Sequence, residues 1–276
     1  MRLLSTVLAF ALLLPVGLRA QSGAPANNSD EQQIFSLLNR ERTSRGLRAL
    51  VWNESLAEAA RQHSAAMIDH GALSHQFDGE PDPERRIAAV HVSYTQLGEN
   101  VALAPDAGTA HDSLMHSPHH RANILDAGFN AVGIGVLRDG DEIYVTQDFA
   151  KTVAELSVAE ARASVLKQLN ALRAKAGAMP LRLVAFDADS EDSRQQSVCE
   201  MAKVDRASVA AAKLPPYDGL TEAVALAFET SDIEQIGQQM RSLAKMTARS
   251  AAIDLCQAPS ATNPAPVWWG VVTLYK

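Results

Sequence analysis

Histidine is the residue type best suited to chemistry in this chain, and its distribution is uneven. All eight histidines lie between His63 and His120, and positions 121–276 contain none. An imidazole ring can bind a divalent metal, or it can act as an acid or base near neutral pH. Histidine chemistry is therefore predicted in the first half of the chain only.

Spacing distinguishes these histidines from one another. His116 and His120 are four residues apart, but Ser117-Pro118 between them is typical of a helix N-cap and first helical position. We therefore expect these two rings to lie on different faces. His63 falls on the apolar stripe of a predicted helix and is expected to be a core or rim histidine with satisfied hydrogen bonds.

Apolar periodicity indicates the elements that position these residues. Two helices are predicted, at about 30–45 and from Asn53 to Gly71. Residues 131–137 and 142–149 alternate in polarity around Asp139-Gly140, which predicts a β-hairpin. This half of the chain is therefore of the α+β class.

The second half repeats this order from residue 155 onwards. The eight residues 97–104 and the eight residues 220–227 are identical at six positions, counted from the printed sequence. Shorter matches link Asn39, Gly46 and Leu50 to Asn170, Gly177 and Leu181, and Arg61 to Arg194. We predict two tandem copies, at 30–151 and 155–276, of which the second has lost its histidines.

Charge and cysteine content exclude several classes of protein. The net charge of −7 comes without a long run of like charges, so neither a nucleic-acid partner nor a basic membrane-surface helix is expected. Two cysteines are too few for a disulfide-framework miniprotein or a four-thiolate zinc site. Cys199 and Cys256, placed on a helix and a strand of the second copy, are predicted to form a disulfide.

The first residues are typical of an export signal. Residues 1–20 contain Arg2, an apolar run and a terminal Ala20, which predicts a secretory signal peptide. Residues 21–29 have the composition of a flexible leader. The mature chain is expected to be extracellular or periplasmic and to have no transmembrane segment.

Five motifs in the first half resemble the CAP superfamily of cysteine-rich secretory proteins, antigen 5 and pathogenesis-related proteins, and above all its bacterial branch. The resemblance covers about residues 30–150 and, through the repeat, weakly covers 155–276. It implies a three-layer α–β–α sandwich. The motifs are Leu38-Asn39-Arg40-Glu41-Arg42, Ser74-His75, Gly98-Glu99-Asn100, Ser117-Pro118-His119-His120-Arg121-Ala122-Asn123-Ile124-Leu125 and Val132-Gly133-Ile134-Gly135-Val136.

The resemblance also implies a cavity that commonly carries two histidines and two acidic residues. His75 and His120 match the histidines, and Glu99 matches one acidic residue. The second acidic position falls on Ser117, so the set is incomplete. His75 and His120 are the candidate ligands for zinc or another divalent metal, with Glu99 as a third donor. Alternatively, the histidine and glutamate side chains hydrogen-bond to each other without a metal.

Three functions follow as alternatives. The favoured one is a secreted, non-enzymatic binding or interaction module whose cavity holds a metal or a small hydrophobic ligand, with a lipid or cell-surface component as partner. The second is a metal-dependent or serine-type hydrolase that uses His75, Glu99 and His120, with Ser117 as nucleophile, a neighbouring histidine such as His120 as base and Glu99 as orienting group. Its weakness is that neither Gly-x-Ser-x-Gly nor His-Glu-x-x-His occurs in the sequence. A structural cell-surface module is the third.

Overall fold

The computed structural model describes residues 28–184, 188–202, 221–260 and 264–276. The predicted signal peptide and most of the predicted leader lie outside these ranges. Seven α-helices are described: α1 (Ser29–Ser44), α2 (Glu54–His70), α3 (Pro83–Ala89), α4 (Ala107–His116), α5 (Pro118–Leu125), α6 (Val158–Lys175) and α7 (Ala188–Ala202). The strands are β1 (Val51–Trp52), β2 (Tyr94–Ala104), β3 (Ala131–Asp139), β4 (Glu142–Thr152), β5 (Arg182–Leu183), β6 (Glu222–Thr230), β7 (Ser250–Ala258) and β8 (Val267–Tyr275). None of the helices in these ranges has the length and apolar character needed to cross a bilayer.

The first four strands form one sheet in the order β1-β3-β4-β2. The predicted hairpin is confirmed, because β3 and β4 pair antiparallel and Gly140 takes a positive φ of 57° in the turn between them. Helices α1, α4 and α5 pack on one face of the sheet through a core that includes Ile34, Leu114 and Ile124. Helix α2 covers the other face. The layers are those of an α–β–α sandwich, and the predicted α+β class is confirmed.

Helix α2 has the caps that its sequence predicts. The Asn53 side chain accepts a hydrogen bond from the Leu56 amide at the N-terminus, and Gly71 ends the helix in a left-handed conformation. The helix lies close to the sheet because Gly133 and Gly135 lack side chains where it crosses β3. A Cβ atom at Gly133 would lie 2.1 Å from the Ala57 nitrogen, so only glycine fits there.

Helices α1 and α6 make the same contacts in the two halves of the chain. Asn39 donates to the Leu50 carbonyl oxygen (3.1 Å) and accepts from the Leu50 amide (2.8 Å). Asn170 makes the same two bonds to Leu181, at 3.0 and 2.8 Å. These bonds explain why the matching asparagines precede matching leucines by 11 residues in the sequence.

The second sheet has the order β5-β7-β8-β6, with the same parallel and antiparallel pairs as the first. In place of α4 and α5, this half contains two 3-10 helices, Ile233–Gln238 and Arg241–Leu243. The shared strand order is what a duplication requires, and the duplication itself stays a prediction.

Strand pairing corrects one detail of the sequence match. If the sheets are superposed on the parallel pairs β1–β3 and β5–β7, Ala131 corresponds to Ser250, and Asp148 to Thr273. Glu99 pairs with Asp148, whereas Ala225 pairs with Thr273. The position that corresponds to Glu99 is therefore Ala225, and the eight-residue match to Glu222 is three residues out of register.

The predicted disulfide between Cys199 and Cys256 is confirmed. It joins α7 to β7 with a Cα–Cα distance of 5.3 Å. On the same helix, Arg194 makes a buried two-pronged ion pair with Asp254 of β7, at 2.9 and 2.7 Å. In the correspondence of strand positions given above, Asp254 of β7 matches Gly135 of β3. Helix α7 is therefore held on its sheet by an ion pair and a disulfide, whereas α2 is held on its sheet by close contact between the two backbones.

Candidate functional site

Three of the residues predicted from the sequence lie together in the first half. His75 lies in the loop between α2 and α3, Glu99 on β2 and His120 on α5. The His75 Nδ1 atom is 2.8 Å from Glu99 Oε1, and the His75 and His120 ring centroids are 6.5 Å apart. The His75 side chain is 54% exposed, whereas that of Glu99 is 5% exposed. A buried carboxylate therefore orients an imidazole that faces solvent.

Arg86 of α3 is the second partner of Glu99. Its Nη2 atom donates to Glu99 Oε2, and its Nη1 atom donates to the backbone carbonyl oxygens of His75 (3.2 Å) and Pro81 (3.0 Å). Both carboxylate oxygens of Glu99 are thus in hydrogen bonds to groups of the chain itself. The guanidinium group also fixes the backbone at His75.

Asp148 lies opposite Glu99 on the neighbouring strand β4 and is 1% exposed. Burial, together with the charge of Glu99 and a hydrogen bond to it, raises the pKa of Asp148 well above its ordinary value. These surroundings favour the neutral form of the Asp148 carboxyl group beside the Glu99 carboxylate. This carboxyl group is a second acidic residue at the site, but not at the position of Ser117.

The same contacts shift the pKa values of the other groups. Burial alone would raise the pKa of Glu99, but hydrogen bonding to His75 and the charge of Arg86 outweigh it, and the pKa is lowered. The hydrogen bond to Glu99 raises the pKa of His75. Burial and the nearby charge of His75 lower the pKa of His120. The two imidazoles therefore differ in charge over a range of pH near neutrality.

An amide network holds the His120 backbone. The Asn100 Nδ2 group donates to the His120 carbonyl oxygen and to Gln147 Oε1, both at 3.1 Å. Asn123 of α5 donates to the Glu99 carbonyl oxygen (3.1 Å) and to Asn100 Oδ1 (2.9 Å). Both asparagines belong to motifs that carry the family resemblance, and their side chains tie α5 to β2.

His63 is fully buried on α2 and makes two hydrogen bonds, as the sequence analysis predicts for a satisfied core histidine. Its Nδ1 atom is 2.6 Å from Glu80 Oε1, and its Nε2 atom is 2.8 Å from the Ser74 carbonyl oxygen. These partners lie on either side of His75 in the chain.

Ser117 lies between α4 and α5, where it is the N-cap of α5 with Pro118 in the first turn. Within the ranges that the structure describes, no hydrogen bond links its hydroxyl group to His75, Glu99 or His120. His116 ends α4 and bonds to the Asp112 carbonyl oxygen at 2.7 Å, so it does not share a helix with His120. The prediction that these two histidines are not paired is confirmed.

The donor set does not fit a tetrahedral zinc ion. Two imidazoles that share a tetrahedral zinc ion at about 2.0–2.1 Å hold their ring centroids roughly 5 Å apart, which is closer than the separation observed. Both oxygens of Glu99 already accept hydrogen bonds, and one of these comes from the Arg86 cation. Among the described residues, no group of three or more His, Cys, Asp or Glu side chains is arranged to hold a metal ion.

The chain resembles known proteins over its first half. Residues 35–149 match the model of the CAP family, described as the cysteine-rich secretory protein family. Two relatives from Bacillus subtilis are the uncharacterized membrane protein YlbC, 30% identical over 51% of this chain and 40% of its own, and the uncharacterized protein YkwD, 31% identical over 43% and 47%. The chain therefore spans less than half the length of either. Residues 35–149 are therefore similar to the CAP family of cysteine-rich secretory proteins.

Two solved structures are also similar to this chain. An extracellular SCP-domain protein from Bacillus anthracis is 31% identical, with a TM-score of 0.42 over 44% of this chain and 40% of its own. Na-ASP-1 is 10% identical, with a TM-score of 0.46 over 90% of both chains.

Proposed function

We propose that the first half is a secreted, non-enzymatic binding module whose ligand contacts His75 and His120. The proposal rests on one observation: the charged side chains next to the His75 and His120 rings are paired with each other. Glu99 binds His75 and Arg86, and burial raises the pKa of Asp148 beside Glu99, which favours its neutral form. Among the described contacts, Nε2 of His75 and the two ring nitrogens of His120 take part in no hydrogen bond.

The surroundings of His75 favour a small ligand that has both a polar and an apolar part. Leu73 lies two residues before His75 and is 48% exposed, which is high for a large apolar side chain. A ligand that hydrogen-bonds to the imidazole could cover this side chain at the same time. A lipid-like or other cell-surface molecule would meet both conditions.

Export fits the disulfide chemistry. A disulfide between Cys199 and Cys256 persists in oxidising compartments and is uncommon in a reducing cytosol. Together with the predicted signal peptide, this supports a location outside the cytoplasm.

Native mass spectrometry of the purified protein tests the binding proposal. The wild-type protein is expected to retain a co-purified molecule, and the double variant His75→Ala/His120→Ala is expected to lose it. The control is His116→Ala, because His116 is exposed at the end of α4 and bonds only within that helix. Loss of the fold in the double variant would make these histidines structural, and unchanged retention would place the ligand elsewhere.

A hydrolase is the second candidate, because the His75–Glu99 hydrogen bond orients an imidazole as a general base requires. The sequence hypothesis uses His75, Glu99 and His120, with Ser117 as the nucleophile and a histidine near it as the base. Turnover of ester and peptide substrates would favour the hydrolase if it falls at least about 100-fold in His75→Ala, the usual scale of general-base catalysis. Turnover that also falls in Ser117→Ala would support a serine nucleophile.

A further inference from the structure

The protonation state of His63 follows from its two partners. The Ser74 carbonyl oxygen can only accept a hydrogen bond, so Nε2 of His63 must carry a proton. On the other side, Oε2 of Glu80 accepts from the Phe77 amide at 3.0 Å, and Nη1 of Arg86 lies 3.5 Å from Oε1. Both the Phe77 amide and the Arg86 guanidinium group favour the ionised form of Glu80. An ionised carboxylate can only accept a hydrogen bond from the His63 ring. Both ring nitrogens of His63 therefore face acceptors, an arrangement that matches the two N–H donors of an imidazolium.

Charges of alternating sign surround this buried cation. Glu80 lies next to His63, Arg86 lies between Glu80 and Glu99, and Glu99 binds His75. The charged groups near His63 in the described contacts are thus Glu80 from the loop, Arg86 from α3 and Glu99 from β2. Two cations and two anions balance in this interior, which makes a buried imidazolium acceptable.

The two hydrogen-bond partners of His63 lie on either side of His75 in the sequence. Ser74 immediately precedes His75, and Glu80 follows it by five residues. A third bond, from Gln76 Nε2 to the Glu80 carbonyl oxygen at 2.9 Å, links residues within the same loop. One ring on a rigid helix therefore holds both ends of the segment 74–80.

We propose that His63 is a positioning residue for the site, an imidazolium in α2 whose two N–H groups hold Ser74 and Glu80 and so keep His75 against Glu99. Its importance for binding rests on the function proposed above. Its geometry does not, because the hydrogen bonds exist without a ligand.

Nitrogen NMR of the imidazole rings tests the protonation state in the wild-type protein. At pH 7, both ring nitrogens of His63 are expected to show the shifts of protonated atoms. In Glu80→Gln, the amide can donate to Nδ1, so a neutral ring becomes favoured and one nitrogen should lose its proton while the fold persists. One bare nitrogen in the wild-type ring would overturn the proposal, and so would an unchanged ring in Glu80→Gln.

Amide hydrogen exchange tests the positioning role. His63→Leu removes both bonds, and exchange at the Phe77 amide is expected to rise at least tenfold. The matched control is His70→Leu, because His70 lies on the same helix and contacts the same loop only by stacking on Phe77 at 4.0 Å. That variant should change the exchange less than threefold. Equal effects in the two variants, or none in His63→Leu, would contradict the proposal.

Neither measurement uses a ligand. The positioning role can therefore fail while the binding proposal stands, and a failure to find a ligand leaves these results decisive for His63.

Discussion

Asp148 and Glu99 face each other across the strand pair β4–β2, and their surroundings shift the pKa values of the two carboxyl groups in opposite directions. Burial and the charge of Glu99 raise the pKa of Asp148, whereas the hydrogen bond to His75 and the charge of Arg86 lower that of Glu99. A proton shared by the two groups is therefore favoured on Asp148, and Glu99 is favoured as the carboxylate that orients His75.

Replacing Asp148 with asparagine should stabilise the protein at neutral pH. The raised pKa means that the folded state keeps a proton that an unfolded aspartate, with a pKa of about 3.9, releases. Wild-type stability therefore falls as pH rises from about 4 towards the raised pKa of folded Asp148. Asp148→Asn keeps a hydrogen-bond donor and removes this loss, so its advantage in free energy of unfolding should be at least about 1 kcal/mol larger at pH 7 than at pH 4.

Urea unfolding at the two pH values measures this difference. Asp148→Ala serves as the comparison, because it removes both the charge and the donor and leaves Glu99 with one hydrogen bond fewer. An asparagine variant with the same pH dependence as the wild-type protein would show that Asp148 is ionised in the fold.

The two site histidines should titrate in a fixed order. His75 has a raised pKa because of its bond to Glu99, and His120 has a lowered pKa because of burial and the charge of His75. The stability that comes from the His75–Glu99 pair is present below the ordinary histidine pKa of about 6.5 and is lost as pH rises through the raised value.

NMR titration of the ring carbon-bound protons measures both histidines at once. Glu99→Gln should lower the pKa of His75 and should raise that of His120, since His75 is then charged over a narrower range of pH. The reverse order of titration in the wild-type protein would contradict the described hydrogen bond.

Sequence motifs predicted the two rings and the carboxylate of this site, but not the groups that support them. His75, Glu99 and His120 lie within short motifs, whereas Arg86 and Asp148 come from a helix and a strand with no such signal. The register of β2 against β4 brings Asp148 to Glu99. That register depends on the long connection between the strands and could not be read from local spacing.

The repeat shows a similar limit. Asn39 and Asn170 could be matched because each bonds to a leucine at the same distance along the chain. The match of Glu99 to Glu222 was wrong by three residues because apolar strands of similar composition can be aligned in several registers. The pairing of β2 and of β6 with its neighbour is also irregular near the start of each strand, which changes how many residues separate the start of the strand from the matched position.

Removing the disulfide should loosen α7 and leave the site intact. The double variant Cys199→Ala/Cys256→Ala removes a cross-link between residues that are 57 positions apart in the sequence. The loop-closure entropy of such a cross-link stabilises the folded state by up to about 4 kcal/mol. Amide exchange along α7 should rise by at least tenfold, while the His75 ring signals stay unchanged. Arg194→Leu, which removes the neighbouring ion pair, provides an independent measure of what holds this helix. Altered His75 signals in the cysteine variant would show that the two halves are coupled.

Alanine at Gly133 or Gly135 should destabilise the first half and disturb the site from a distance. A Cβ atom at Gly133 would lie 2.1 Å from the Ala57 nitrogen, and one at Gly135 would lie 2.2 Å from the Arg61 nitrogen. Both neighbours are backbone atoms, so no change of side-chain rotamer can relieve the clash. Helix α2 must move away from β3, at an expected cost of about 1–3 kcal/mol or more. The positions that correspond by strand register, Ala252 and Asp254, carry side chains because α7 is held by other contacts.

Chemical denaturation of the glycine variants measures this cost. The control is Gly108→Ala, where the new Cβ atom would meet two flexible side chains, Asp106 at 3.2 Å and Gln33 at 3.7 Å. Alanine also favours the helix, so stability should change by less than about 1 kcal/mol. Because α2 carries His63, its displacement should also raise amide exchange at Phe77, as His63→Leu does. Destabilisation without that increase would mean that the loop holding His75 follows the helix as a rigid unit.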